Sequence, residues 1–410
     1  MSSQDVVRDL RTLAALTSTP EGAQRLAWGP VWRKARSWCA AQVRELGIEG
    51  RTDAAGNVWY TLPGASSETV IIGGHLDSVP NGGWLDGTLG VMAGLGALRM
   101  FKDRQRPLSI SVVDWADEEG ARFGRSLLGS SAAGGSLRID DVRGLADKQG
   151  TPLPDALREN GVELDRMLGA HAELKSIRAR GYLELHIEQG PVLESLNKPT
   201  GVVLGTFGVE RHMLRFVGQA AHSGSTPIPM RRDAFLAAAE MALACREIAT
   251  RHSTPSAGVV CTVGVVQVEP GIVTAVPGVC EISLDQRALD PVVLAKMLAD
   301  AKAASENAAR ANNVTVEWRT LWRIEPRPFD TRLLALCEEA VREVTGDAPT
   351  LPSGPLHDAA EMVPHMPVVM MFAYSSRGLS HCKEEDTPGP HLLKTIDAFL
   401  RLVEKVVELR

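Results

Sequence analysis

The sequence predicts an α/β protein: a catalytic α/β/α domain on a mixed sheet, with a ferredoxin-like β-α-β-β-α-β domain inserted into it. Three observations predict it. Short apolar runs that read as buried strands end in histidine or acidic residues, at 69–74, 109–115 and 181–186. Helix-period segments separate these runs. From about residue 209 the texture changes to a strand–helix–strand–strand–helix–strand order that ends near 326. The expected division is therefore 1–208 with 327–410 for a discontinuous first domain, and 209–326 for the domain inserted into it.

Taken in order, residues 5–16 put Val6, Leu10 and Leu13 on one helical face, and 31–46 do the same with Trp32, Ala35, Cys39 and Val43. Gly47 suits a helix end. Two short strands follow, near 48–53 and 56–62. The run Thr69-Val-Ile-Ile-Gly-Gly74 then reads as a strand that delivers His75 to the carboxyl edge of a sheet, where open α/β sheets bind ligands. Asp77 lies two residues on, within reach of the second imidazole nitrogen. A Gly- and Pro-rich loop can fold Asp86 back toward His75.

Residues 87–101 form a helix whose small residues (Gly90, Ala93, Gly94, Gly96, Ala97) permit close packing on the sheet. The next strand, 109–115, runs into Asp117-Glu118-Glu119. Two adjacent glutamates at a strand end are costly when buried unpaired, and a dication removes that cost. The strand 181–186 ends in His186 and repeats the His75 arrangement, with Gln189 in the turn after it.

In the insert, strands are expected at 210–218, 258–268, 278–287 and 313–321, with helices at 231–251 and 291–312. After it come a helix at 331–345, a strand at 367–373, the Ser380-His381-Cys382 loop and an amphipathic helix at 391–408.

The chain has 410 residues, is 44% hydrophobic and carries a formal charge of −6, so a large core is available and a nucleic-acid surface is not expected. No apolar run reaches the ~18 residues of a membrane helix, and the N-terminus has no signal-peptide pattern. The six scattered cysteines read as free thiols of a cytoplasmic protein.

His75, Asp86, Glu118, Glu119, His186 and His381 all fall at strand ends or in the loops after them. A mixed imidazole–carboxylate set suits zinc or manganese, with cobalt or nickel as alternatives. Three histidines with two or three carboxylates exceed what one catalytic zinc takes from a protein and fit two metals about 3.5–4 Å apart.

The chain resembles the hydantoinase/carbamoylase subfamily of dinuclear-metal amidohydrolases, in the clan of aminoacylase and carboxypeptidase. The resemblance is carried by Gly74-His-Leu-Asp-Ser-Val-Pro-Asn-Gly-Gly83, Asp117-Glu-Glu-Gly-Ala-Arg-Phe123 and Glu184-Leu-His-Ile-Glu-Gln-Gly190. Ala221-His-Ser-Gly-Ser-Thr-Pro227, Arg231-Arg-Asp233, Leu284-Asp-Gln-Arg287 and Gly378-Leu-Ser-His381 extend it along nearly the whole length.

It implies that His75, His186, Glu119 and His381 bind two divalent ions bridged by Asp86. It implies further that Glu118 is the general base and that His222 stabilises the oxyanion. Gln189 would meet the carbamoyl amide, and Arg287 the substrate carboxylate. Arg211 and His357 fall in family-like contexts on the substrate side. The sequence departs from the pattern at Thr274, where an asparagine is usual, and at Cys382 beside His381.

The expected reaction is hydrolysis of an N-carbamoyl-L-amino acid or related ureido acid to amino acid, carbon dioxide and ammonia. Allantoate amidohydrolase and β-ureidopropionase are the alternatives, and a catalytically silent ureido-acid binding protein is a distant one. The resemblance also implies a homodimer formed through the lid. It leaves open whether His222 and Arg287 serve their own site or a partner's.

Overall fold

The computed structural model describes residues 2–254 and 258–409. The chain divides into two compact units, Met1–Leu204 with Phe329–Arg410, and Gly205–Pro328.

The first unit is built on a mixed sheet. Its centre is four parallel strands in the spatial order Ser109–Trp115, Glu68–His75, Arg178–Ile187, Val368–Ala373. Antiparallel strands extend it on either side: Val58–Leu62 and then Gly50–Thr52 beyond Ser109–Trp115, and Thr200–Thr206 beyond Val368–Ala373. Thr350–Ser353 pairs with Thr200–Thr206 in turn.

Every residue of Ser109–Trp115 and Val368–Ala373 is buried, as expected for parallel strands covered on both faces. Helix Thr88–Phe101 covers one face of the sheet. It lies so close that a Cβ on Gly90 would sit 2.7 Å from the Gly73 carbonyl oxygen, which explains its run of small residues. The short helix Asp358–Met362 meets the other face, its Ala359 N–H donating to Glu184. Val6, Leu10 and Leu13 of helix Ser3–Thr17, and Trp32, Ala35, Cys39 and Val43 of helix Pro30–Arg44, point into the same core.

The register sets the site. His75 pairs with Trp115, and His186 with Phe372, so the last residues of all four parallel strands reach one sheet edge. The loops 76–87, 116–127, 188–191 and 374–387 all leave from there.

The second unit holds an antiparallel sheet. Val279–Ala288 pairs with Gly208–Val217 on one side and with Val260–Thr262 and Val266–Glu269 on the other; Thr315–Ile324 completes the far side. Helices Ala234–His252 and Pro291–Ala311 pack on this sheet around Leu214, Phe216, Ile282 and Leu284. Two expectations shift here. The helix expected from 231 starts at Ala234, because Asp233 caps it by accepting the Phe235 and Leu236 N–H groups. The strand expected over 258–268 is two strands. Between them the Gly264 and Val265 N–H groups donate to the Ser283 hydroxyl, interrupting the ladder.

All six cysteines are free. No described helix is long and apolar enough to cross a membrane.

Candidate metal centre

The site grows out of the four strand ends. His75 closes its strand, and its Nδ1 faces Asp77, 3.1 Å from the backbone carbonyl and 3.6 Å from Oδ1. Nδ1 of His186 donates to the Ile187 carbonyl at 2.9 Å. Both rings therefore turn Nε2 inward, and in the neutral imidazole its lone pair faces the site, the tautomer a metal ligand needs.

Asp86 stands between two groups of donors. Its Oδ1 lies 3.1 Å from His186 Nε2 and 3.8 Å from His75 Nε2. Its Oδ2 lies 3.4 Å from His381 Nε2, which is also 3.4 Å from Glu119 Oε2. Two triads result, His75–Asp86–His186 and Asp86–Glu119–His381, each with its ligand atoms within 4.8 Å of one another. Oδ2 also accepts from Gln189 Nε2 at 3.1 Å and Ser380 Oγ at 3.0 Å.

Asp77 does more than hold His75. Its carboxylate accepts the backbone N–H groups of Glu118 and Glu119, at 3.3 and 3.1 Å, tying the two loops together. Glu118 Oε2 lies 3.7 Å from His75 Nε2. Asp117, Gln189 and His381 all have positive φ, near +60°. Such strain in non-glycine residues persists where the surroundings impose it, and it concentrates at functional sites.

Burial pushes Glu118 well above the ordinary carboxylate range; His75 opposes this, while Asp358 and Glu119 add to it. Burial and the nearby Asp86 push Glu119 up to about 7. Burial pulls the His75 imidazolium down, but Glu118, Asp77 and Asp86 outweigh it and hold the group well above its usual value. Burial would raise Asp86, yet its bonds to His186 and His381 hold it well below normal. The hydrogen bond to Asp86 lifts His381 to about 9.

Divalent cations fit these residues. Glu119 Oε1 is buried with no hydrogen-bond partner among the described residues. The donors are imidazole nitrogens and carboxylate oxygens, split by one shared carboxylate.

The structure thus brings together His75, Asp77, Asp86, Glu118, Glu119, His186, Gln189 and His381. His357 joins them, its ring centroid 4.4 Å from that of His186. His222, Thr274, Arg211 and Arg287 belong to the second unit. There His222 is exposed, and its Nδ1 accepts the Gly224 and Ser225 N–H groups, so the ring carries its proton on Nε2. Thr274 lies beside it: the Ser223 N–H donates to the Thr274 carbonyl. Arg211 and Arg287 share the Asp285 carboxylate, and Arg211 also stacks 4.9 Å from the Trp322 ring centroid. Cys382 keeps a free thiol next to His381.

Sequence reasoning missed four residues. Arg25 is fully buried and donates to the Leu76 carbonyl at 2.8 Å; the strongest of the acidic charges facing it is Glu385. Trp28 Nε1 donates to Asp117 Oδ2 at 2.7 Å. Glu385 and Ser380 fasten Asp86. Of these, only Ser380 and Glu385 carried a signal, their place in the His381 loop.

Taken with the chain's relatives, this cluster marks a metal-dependent hydrolase of amide C–N bonds. The chain belongs to peptidase family M20/M25/M40, whose family model matches residues 71–405. Its relatives include an N-carbamoyl-L-amino acid amidohydrolase of Geobacillus stearothermophilus, 34% identical over 89% of this chain and 88% of that protein. An allantoate amidohydrolase of Escherichia coli is 32% identical over 94% of this chain and 93% of its own. Among solved structures, a hydantoinase/carbamoylase family amidase from Burkholderia ambifaria has a TM-score of 0.86 at 30% identity, covering 100% of this chain and 98% of that one.

Proposed function

We propose that the chain is a dinuclear-metal amidohydrolase that cleaves the carbamoyl C–N bond of N-carbamoyl-L-amino acids or related ureido acids. The products would be the amino acid, carbon dioxide and ammonia. The observation that carries this reading is the division of Asp86: one oxygen faces His75 and His186, the other Glu119 and His381. Those four side chains would hold two ions with Asp86 between them. Zinc or manganese suits the donor set first, and cobalt or nickel also fit. When bound, such a pair supplies Lewis acidity and lowers the pKa of water to roughly 7.

The chain's own residues do the rest. Glu118, buried and 3.7 Å from His75, takes a proton from the attacking water and returns it to the leaving nitrogen. Asp77 fixes His75 and the Glu118–Glu119 backbone. Gln189 orients the amide end of the carbamoyl group. His222, with its proton on Nε2, is the donor for the developing oxyanion. Arg287 grips the substrate carboxylate as a fork, with Thr274, Arg211 and His357 as further substrate-side groups.

The insert's β-α-β-β-α-β order and strand pairing support a ferredoxin-like domain acting as lid and dimerisation module. Its exposed Leu243, Val266, Ile272 and Val273 favour a homodimer formed through it. A cytoplasmic location completes the reading.

Allantoate is the second substrate reading, favoured by the Escherichia coli relative. Ammonia release from N-carbamoyl-L-amino acids, N-carbamoyl-β-alanine and allantoate, after chelation and add-back of each metal, tests the assignment. Turnover of N-acetyl or peptide substrates alone would reject it. Glu118→Gln should lose about 10²–10⁴-fold in turnover and keep its metal; wild-type turnover would remove Glu118 as the base.

A further inference from the structure

We propose that Glu385 is a positioning residue that clamps Asp86 between the two halves of the metal centre and so sets the affinity for the second ion. The inference rests on the dinuclear reading above. Four observations carry it.

Glu385 is buried, 2% exposed, in the loop that also carries His381. Its Oε1 accepts the backbone N–H groups of Leu85 and Asp86, at 3.1 and 3.0 Å. Its Oε2 lies 3.1 Å from Ser380 Oγ, and that hydroxyl, also 3.0 Å from Asp86 Oδ2, has one proton to serve the two carboxylates. Glu385 therefore contacts Asp86 twice, through its backbone and, by way of Ser380, through its side chain. Finally, the approach is so tight that a Cβ on Gly83 would lie 2.0 Å from Glu385 Oε1. The loop 83–86 is shaped around this carboxylate.

The physical consequence is specific. Asp86 has to offer one oxygen to each triad, which requires its backbone and its χ angles to be held. The clamp does both, and it joins the Asp86 loop to the His381 loop, which supply two of the three ligands of the second triad. Partners that orient a ligand in this way typically change metal affinity about 10- to 100-fold when removed. What matters is the pair of hydrogen-bonding arms, not the charge. A glutamine keeps one oxygen for both N–H groups and an amide for Ser380.

The test is a competition titration of the full-length, metal-stripped protein with zinc and a zinc-responsive fluorescent chelator, together with thermal unfolding of the metal-free protein. Wild type should bind two zinc ions per chain. Glu385→Ala should bind its second ion about 10- to 100-fold more weakly, keep the first nearly unchanged, and be largely rescued by Glu385→Gln. A purely structural role would lower the unfolding temperature of the metal-free protein and leave both affinities alone; that result overturns the proposal. Equal losses in Ala and Gln variants also overturn it, since charge and not the clamp would then be responsible. If Glu385→Ala does not fold, Glu385→Asp reports instead: its carboxylate is one methylene too short to keep both arms, so an unchanged second affinity overturns the clamp. Failure of the underlying reading looks different, because wild type itself would then not bind two ions.

Discussion

The two units solve the packing of a sheet in opposite ways. In the first, the strands Ser109–Trp115 and Val368–Ala373 are buried at every position. In the second, Val279–Ala288 alternates strictly between buried and half-buried, and Thr315–Ile324 has no fully buried residue. A parallel sheet covered on both faces leaves polar side chains one place to go, the loops beyond its carboxyl edge. There they are desolvated and interlocked: Asp86 is fixed by Gln189, Ser380 and Glu385 as well as by its histidines. The insert presents Arg211 and Arg287 on its one-sided sheet, and His222 on a separate two-stranded ladder, partly or fully to solvent, held by a few local bonds. Substitution of a ligand in the first unit should therefore disturb metal binding, order and turnover together, and substitution of His222 in the second should disturb turnover alone.

The largest effect expected from this contrast is at Asp86. Asp86→Asn keeps the shape but removes the charge that both triads share. Turnover should fall below detection, and zinc retained after dialysis should drop from two ions per chain to at most one. Two ions retained would mean that the triads do not depend on a common carboxylate, and the contrast would lose its sharpest instance.

His222→Asn is the counterpart in the insert. Loss of one oxyanion donor typically costs about 10²–10³-fold in turnover. The His222 ring is exposed and is held by the Gly224 and Ser225 N–H groups of its own turn, so the unfolding temperature and the zinc content should not change. A fall in metal content with His222→Asn would break the separation between the units' roles.

This division also explains what could be read from the amino-acid sequence. Strands ending in His75 and His186 were legible, because an apolar run followed by imidazole is a local pattern. So was the helix Thr331–Thr345 to the residue. Thr200–Thr206 was not: Gly201 and Gly205 interrupt its short apolar run, yet it pairs beside Val368–Ala373. Thr350–Ser353 contains Pro352, which an edge position tolerates and a central one would not. In the site, the candidate ligands carried motifs, but their fastenings did not. Arg25 reaches Leu76 from a segment with no pattern of its own, and Glu385 meets Asp86 from 299 residues away. Contacts of that kind are decided by the fold, not by spacing along the chain.

The smallest expected effects test the packing half of the comparison. Ile71 is fully buried in the all-round core of the first unit, whereas Val266 is 52% exposed on the outer strand of the insert. Ile71→Val removes one methyl group from a site with no room to relax, and such a change typically costs about 0.5–1.5 kcal/mol. Val266→Ala removes two methyl carbons, yet a surface change away from special features usually stays within about 0.5 kcal/mol. Urea unfolding of the metal-free variants checks both, provided the slope with denaturant stays constant so that a shifted midpoint reports stability. The informative result is the inversion, in which the smaller deletion does the greater damage. If Val266→Ala proves the more destabilising, that outer strand is covered in solution, and the homodimer through the insert gains direct support while the picture of a one-sided sheet has to be redrawn around a second chain.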